Sequence, residues 1–267
     1  MDAQLGVLFA LTFVINLIGS LAYSVRIAGV RTGRIALSFS LFNILVLISR
    51  TANTFQAPLL AKRVEHHLAI ARVSSVTDFR WLLAAASLAT LVGALLTPTF
   101  QRVLTTAVSS FARHRSVPRL MLRALSPAGL VHLRDAVALP AANNVVVGRR
   151  LQLPAAFGIM ATNTLATAVW TVGVFAALYA GYLAPEFRAT ASNLSGVING
   201  LATILLFAVV DPFLAMLTDD VVAGRNTEPV FRRAVVGMLG SRFLGTLLAQ
   251  FLLLPAAQLV ATLARTI

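Results

Sequence analysis

With 58% of its 267 residues hydrophobic, only 12% charged, and a mean hydropathy of +0.85, the chain falls outside the soluble range, where about a quarter of residues are charged. Its 22 basic and 9 acidic side chains are too few to cover a water-facing surface, so the chain reads as an integral membrane protein. The net charge of +13 is almost all arginine, set in short gaps between apolar runs, where anionic headgroups draw it; that placement argues against nucleic acid as a partner.

There is no cysteine, which excludes a disulfide framework, a thiolate metal site and a cysteine nucleophile. The single lysine, Lys62, stands in AKRVE, so there is no Walker A loop and no nucleotide motor. The opening MDAQLG lacks a basic n-region and reads as the start of an uncleaved first span.

A helix needs about 20 mainly apolar residues to cross the hydrocarbon core. Charge-free runs of that length are Ala3–Val25, Trp81–Gln101, Leu151–Pro185, Ala189–Val210 and Phe243–Ala264, and Ile35–Pro58 qualifies if Arg50 is tolerated. The expectation is one integral domain over residues 1–267, an all-α polytopic membrane protein. Its six transmembrane helices are placed at about 3–25, 35–58, 79–99, 153–184, 189–217 and 236–264, with 100–150 as a basic cytoplasmic or interfacial connection.

In that connection Phe100, Val103, Leu104, Ala107, Val108 and Phe111 recur at helical spacing and predict an amphipathic helix in the headgroup layer. Alternate loops carry 14 basic residues against six on the other side, which predicts both termini outside. No internal repeat is visible.

Polar groups inside spans are the informative ones, since a charge at a helix centre costs about 2.5–3.5 kcal/mol on insertion scales. On the second helix, Asn43, Arg50 and Thr54, with Asn53 and Leu47 alongside, make one face polar; the competing reading is an Arg50 that snorkels to the interface. On the fifth, Ser192, Ser195, Asn199, Thr203 and Asp211 share a face, with Pro212 predicting a kink at Asp211. A hydrophilic path and simple interhelical bonding fit that stripe equally. Gly196 and Gly200 form a GxxxG step that predicts close helix approach.

Asn163, Thr167 and Thr171 on the fourth helix favour packing, and Arg242 on the sixth is expected to snorkel. Glu186 and Arg188 suggest a surface pair. In the RIAGVRTGR turn, Arg26, Arg31 and Arg34 could hold a pyrophosphate together with backbone N–H groups, although positive-inside anchoring explains the charges more simply. His66 and His67 are adjacent and point apart, His114 and His132 are flanked by arginine, and neither HExxH nor GxSxG occurs. A metal site, a cofactor or enzymatic catalysis is therefore not expected.

The stretch LAYSVRIAGVRTGRIALSFSLFNILVLISRTANTFQAPL (Leu21–Leu60) resembles the Amj family, the alternate lipid II flippases of bacteria. The similarity continues in YLAPEFRATASNLSGVINGLATILLFAVVDP (Tyr182–Pro212) and in the six-span layout, so it covers essentially the whole chain. Members often carry an acidic residue just before LAYS, where Gly19 and Ser20 stand here.

The resemblance implies movement of lipid II, a glycopeptide on undecaprenyl pyrophosphate, across the bacterial cytoplasmic membrane, with lipid II and anionic lipids as partners and homo-oligomerisation left open. On that basis Arg26, Arg31 and Arg34 would capture the pyrophosphate and Arg50 would follow it inward. Asn43, Asn53, Gln56, Ser192, Ser195, Asn199 and Asp211 would line the path, and Asp211 or Glu186 would serve any coupling. A small-solute permease, a membrane protein handling undecaprenyl phosphates and a cell-wall scaffold are the alternatives.

Overall fold

The computed structural model describes residues 2–70, 76–114, 116, 122, 126–140 and 154–267. Among these, eight α-helices follow one another: α1 (Ala3–Thr32), α2 (Ile35–Ala69), α3 (Val76–His114), α4 (Pro127–Asp135), α5 (Pro154–Leu183), α6 (Arg188–Leu205), α7 (Asp211–Val222) and α8 (Glu228–Thr266). A 3-10 turn at Pro185–Phe187 reverses the chain from α5 into α6, and a five-residue π turn, Leu206–Val210, joins α6 to α7. Counting α6 and α7 as one, six helices are long and apolar enough to cross a membrane. The chain is a multi-pass membrane protein, as its composition demands.

Helix boundaries follow local chemistry. Asp2 caps α1 by accepting a hydrogen bond from the Leu5 N–H at 2.8 Å, and Gly33 closes it in the left-handed conformation, φ +64°, which glycine adopts without a Cβ penalty. Helix α2 carries Pro58 inside it and continues to Ala69.

The amphipathic stretch expected in the headgroup layer is helical, but it is the unbroken continuation of α3 and not a separate interfacial helix. Leu104 and Val108 are buried with Val25 and Ala28 of α1 and Leu41 and Phe42 of α2, so the apolar stripe finds protein instead of lipid. The non-helical geometry expected at Asp211 is not found, since its backbone is helical, φ −65° and ψ −41°; the irregularity falls just before it, in the π turn Leu206–Val210. Pro212 removes one ladder donor, and the wider π turn before it absorbs the mismatch. The arginines at 115, 119, 123, 149 and 150 lie outside the described residues.

Two helix pairs make the frame, α1 with α3 and α5 with α8. Each approaches closely at a glycine. A Cβ on Gly93 would stand 2.6 Å from the Ser20 Cβ, and one on Gly245 would stand 2.6 Å from the Thr164 carbonyl oxygen. In a bilayer, where apolar burial gives little net drive, such backbone approach supplies the packing energy. The alanine-rich seam of Ala177, Ala180, Ala184, Ala191, Ala261 and Ala264 does the same for α5, α6 and α8. By contrast, α2 leans mainly on α1, α6 mainly on α5, and the α2 and α6–α7 spans are the least buried of the six.

The end of the bundle holding both termini is tied by a network centred on Arg63, only 8% exposed. Its guanidinium donates to Asp78 at 2.9 and 2.7 Å and to Asp2 at 2.7 Å, joining α2, α3 and the start of α1. Phe79, Tyr179 and Tyr182 stack edge to face beside it, and His67 Nδ1 lies 3.0 Å from the Tyr182 hydroxyl.

Replacing Arg63 by glutamine leaves two carboxylates without their cation, and about 2–3 kcal/mol of stability should be lost, read as a fall in melting temperature in detergent. Asp2 is held below its ordinary value of 3.8 by the Leu5 N–H and by Arg63. Its contribution is therefore complete above that value and disappears as pH falls through the lowered one. Asp2→Asn should cost stability at neutral pH, and the difference from the parent chain should close in acid.

Candidate functional site

At the end of the bundle opposite the termini, the RIAGVRTGR turn places its three arginines differently from one another. Arg26, 14% exposed, donates to Asp211 of α7 at 3.1 Å and lies over the Phe39 ring at 5.1 Å. Arg31 directs two donors, at 3.0 and 2.7 Å, to one oxygen of Glu228 on α8, which Arg232 also approaches at 3.7 Å. Arg34, at the start of α2, is exposed with no carboxylate beside it among the described residues. Two of the three expected phosphate ligands thus already have counter-charges.

Close by, a cavity of about 290 Å³ between α1, α3 and α8 is lined by Arg31, Arg102 and Arg232 together with Thr97 and Gln101. Residues 138–140 border it, and the Thr99 hydroxyl pins this strap by donating to the Ala138 carbonyl and accepting from its N–H, both at 3.0 Å. In sequence, Arg102 is a lone charge beside an apolar stripe and Arg232 one of an adjacent arginine pair, and neither carries a local sign of the cavity they share.

Deeper in the membrane a polar tract runs between α1, α2, α5 and α6. Thr12 and Asn16 of α1, Asn53 and Gln56 of α2, Thr171 of α5 and Asn199 of α6 line one narrow cavity of about 30 Å³, near the volume of a single water. The Gln56 amide donates to the Thr12 hydroxyl across the α1–α2 contact. A Cβ on Gly173 would collide with the Asn199 amide oxygen, so that glycine lets α6 bring its asparagine against α5.

Three expected path residues, Asn53, Gln56 and Asn199, therefore converge here. Asn43 and Arg50 are exposed on α2, with Arg50 one turn from Asn53 on the side away from the termini. Ser195 is half-buried on α6. Ser192 lines a different cleft of about 360 Å³ at the end near the termini, with Glu65 and Arg188.

The expected surface pair does not form. Glu186 is exposed, while Arg188 points to Glu65 at 3.9 Å. Gly196 and Gly200 face open space, where any added Cβ would meet nothing within 4 Å, so the GxxxG step brings no helix of this chain close.

Where polar side chains enter the core, most are satisfied. Thr12, Asn16, Ser20 and Ser24 each bond back to the α1 backbone. Asn163, fully buried, joins three helices: its amide donates to the Met238 carbonyl at 3.1 Å and the Ser241 hydroxyl at 2.7 Å, and its oxygen accepts from Tyr23 at 3.4 Å. The exceptions among the described residues are the buried atoms Thr167 Oγ1, Thr171 Oγ1, Asn199 Oδ1, Arg232 Nε and Arg242 Nε, which have no hydrogen-bond partner; Arg232 lies at the inner-end cavity.

Each such group costs about 1–3 kcal/mol if left dry, and two of them, Thr171 and Asn199, line the narrow cavity between α1, α2, α5 and α6. The Arg242 guanidinium lies against Gly19 of α1, and α8 begins at Glu228, which places position 242 about four turns inside the helix. The four-residue spacing from Thr12 to Ser24 was the readable sign of the α1 contribution. The pairings across the fold had none.

The Amj family, described as "Alternate to MurJ", matches residues 11–264. The "Lipid II flippase Amj" of Bacillus subtilis (strain 168) is 34% identical over 259 residues, covering 97% of this chain and 96% of that protein. No solved structure matches the chain.

Asn163 and Thr171 should separate structural from functional polarity. Asn163→Ala should lower the melting temperature by the equivalent of about 1–2 kcal/mol, because Tyr23 and Ser241 lose their partner. Thr171→Val should leave it unchanged or raise it. A marked fall for Thr171→Val would mean that its hydroxyl is bonded after all.

Proposed function

This chain belongs to the Amj family, and we propose that it moves lipid II from the inner to the outer leaflet of the bacterial cytoplasmic membrane, as a transporter and not an enzyme. One observation supports this most directly: an unsatisfied polar tract inside the membrane, next to the two least buried spans. A flippase must give a pyrophosphate and a sugar-peptide headgroup polar contacts while its polyprenyl tail stays in lipid. A tract bordered by α2 and α6 meets that need if those helices separate, because the gap they leave opens sideways.

The cavity of about 30 Å³ is the closed form of this path. Opening takes α2 away from α5 and α6, with Pro58 in α2 and the π turn before α7 as the points where the helices can bend. The arginines at the inner face, above all Arg34 and the Arg31, Arg102 and Arg232 cavity, attract the anionic headgroup. Arg50 and Asn53 receive it as it enters, and Asn199 contacts it from the opposite wall. Asp211, half-exposed beside Arg26, is the carboxylate best placed for proton or ion coupling, since exchange of Arg26 for substrate phosphate would free it.

In this reading both termini lie outside and the arginine-rich loops lie in the cytoplasm. The chain has no cysteine, so single cysteines report orientation cleanly. An impermeant maleimide should label Glu186→Cys in intact cells and Arg225→Cys only after permeabilisation; the reverse pattern would invert the direction assigned here.

Transport itself is tested by external accessibility of lipid II in cells depleted of other flippases. Exposure should depend on this chain and should fall at least tenfold for Arg50→Ala at equal membrane levels. Normal insertion without exposure would defeat the reading and favour a small-solute permease.

A further inference from the structure

Arg242 is the residue that neither packing nor pairing explains. It stands 14 positions after Glu228, the first residue of α8, which at 1.5 Å per residue is about 21 Å along the helix from its inner end. All nine carboxylates of the chain fall among the described residues, and none forms an ion pair with Arg242. Its Nε is buried without a hydrogen-bond partner. A guanidinium cannot shed its proton to escape this position, so the charge stays.

The opposite helix is shaped around that charge. Arg242 Nη2 occupies the space where a Cβ on Gly19 would be, and Cζ stands 3.2 Å from that point. Gly19 lies between Asn16, which lines the polar cavity, and Tyr23, which bonds Asn163. With Thr12 and Arg26 these positions follow one another along α1 at steps of four, three, four and three, which is one helix face. The absent side chain at position 19 thus admits a cation to the middle of the polar face of α1, between the cavity and the Arg26–Asp211 pair.

We propose that Arg242, seated on Gly19, is a phosphate site at mid-membrane depth, where the polyprenyl-linked pyrophosphate is held between the two leaflets. A guanidinium offers a planar fork of donors that suits phosphate oxygens, and a bound anion would supply the counter-charge that the fold leaves out. Arg50, 15 positions after Ile35 and also without a carboxylate, stands about 22 Å from the inner end of α2. The proposal rests on the lipid-transport reading and adds to it a residue outside the set expected from sequence.

The test uses the full chain in lipid nanodiscs with undecaprenyl pyrophosphate as probe, undecaprenol as the phosphate-free control and inorganic pyrophosphate as the soluble anion, with binding read by native mass spectrometry. The parent chain should prefer undecaprenyl pyrophosphate over undecaprenol. Arg242→Gln should weaken that binding about tenfold or more while the melting temperature holds or rises, because a half-buried charge without a carboxylate partner is gone. Arg242→Lys should keep part of the affinity. Gly19→Leu, which retains the charge but displaces the guanidinium, should lose it.

Undiminished binding by Arg242→Gln, or a loss of binding that tracks a loss of thermal stability in every variant, would overturn the site. Equal binding of inorganic pyrophosphate, with no preference for the lipid-linked form, would overturn its lipid assignment. If the parent chain binds undecaprenyl pyrophosphate through Arg242 yet exposes no lipid II in cells, the site stands and the transport reading fails. If lipid II is exposed as well by Arg242→Gln as by the parent chain, transport stands and the site falls.

Discussion

Hydrocarbon offers no hydrogen-bond partner, and the rest of this molecule follows from that constraint. Backbone groups meet it by forming helices throughout the spans. Side chains meet it by bonding back to their own helix, as Thr12, Asn16 and Ser20 do, or by finding a partner across an interface, as Asn163 does with Tyr23 and Ser241. A polar group that does neither is conspicuous here in a way it would not be in a water-soluble protein. The unsatisfied atoms of Thr167, Thr171, Asn199, Arg232 and Arg242 are of this kind.

Carboxylates are scarce, and their placement sorts the arginines into two kinds. Asp2 and Asp78 hold Arg63 at one end, while Asp211 and Glu228 hold Arg26 and Arg31 at the other. These pairs tie helix ends together, while glycine contacts hold the helices close along their middles. Arg34, Arg50 and Arg242 form no ion pair among the described residues, but neither do Arg102, Arg233 and Arg265, so the lack of a carboxylate does not by itself single out one place in the fold.

Much of this was legible in the sequence and some was not. Charge-free runs and arginine-rich gaps locate the helices, because the insertion cost of a charge acts residue by residue. Helix ends were less legible: α2 runs on past Pro58 and α3 through Arg102 to His114, since partner helices make room for residues that an isolated span would exclude. Asn53, Gln56 and Asn199 were readable as polar interruptions and do meet at one cavity. The Arg26–Asp211 and Arg31–Glu228 pairs join positions 185 and 197 residues apart, and no local pattern announces them. Gly19 and Arg242 are each ordinary in sequence; only their contact gives them meaning.

The π turn at Leu206–Val210 also sets the phase of the helix it interrupts. Along an unbroken α-helix at about 100° per residue, Asp211 would lie about 80° around the axis from Thr203. The turn takes up roughly one extra residue, which rotates everything after it back by about the same angle. Asp211 then lines up with Ser192, Asn199 and Thr203, turned toward Arg26 on α1. A single added residue keeps the polar line continuous across the π turn as far as Asp211, so the span works as two rods held in register by their joint.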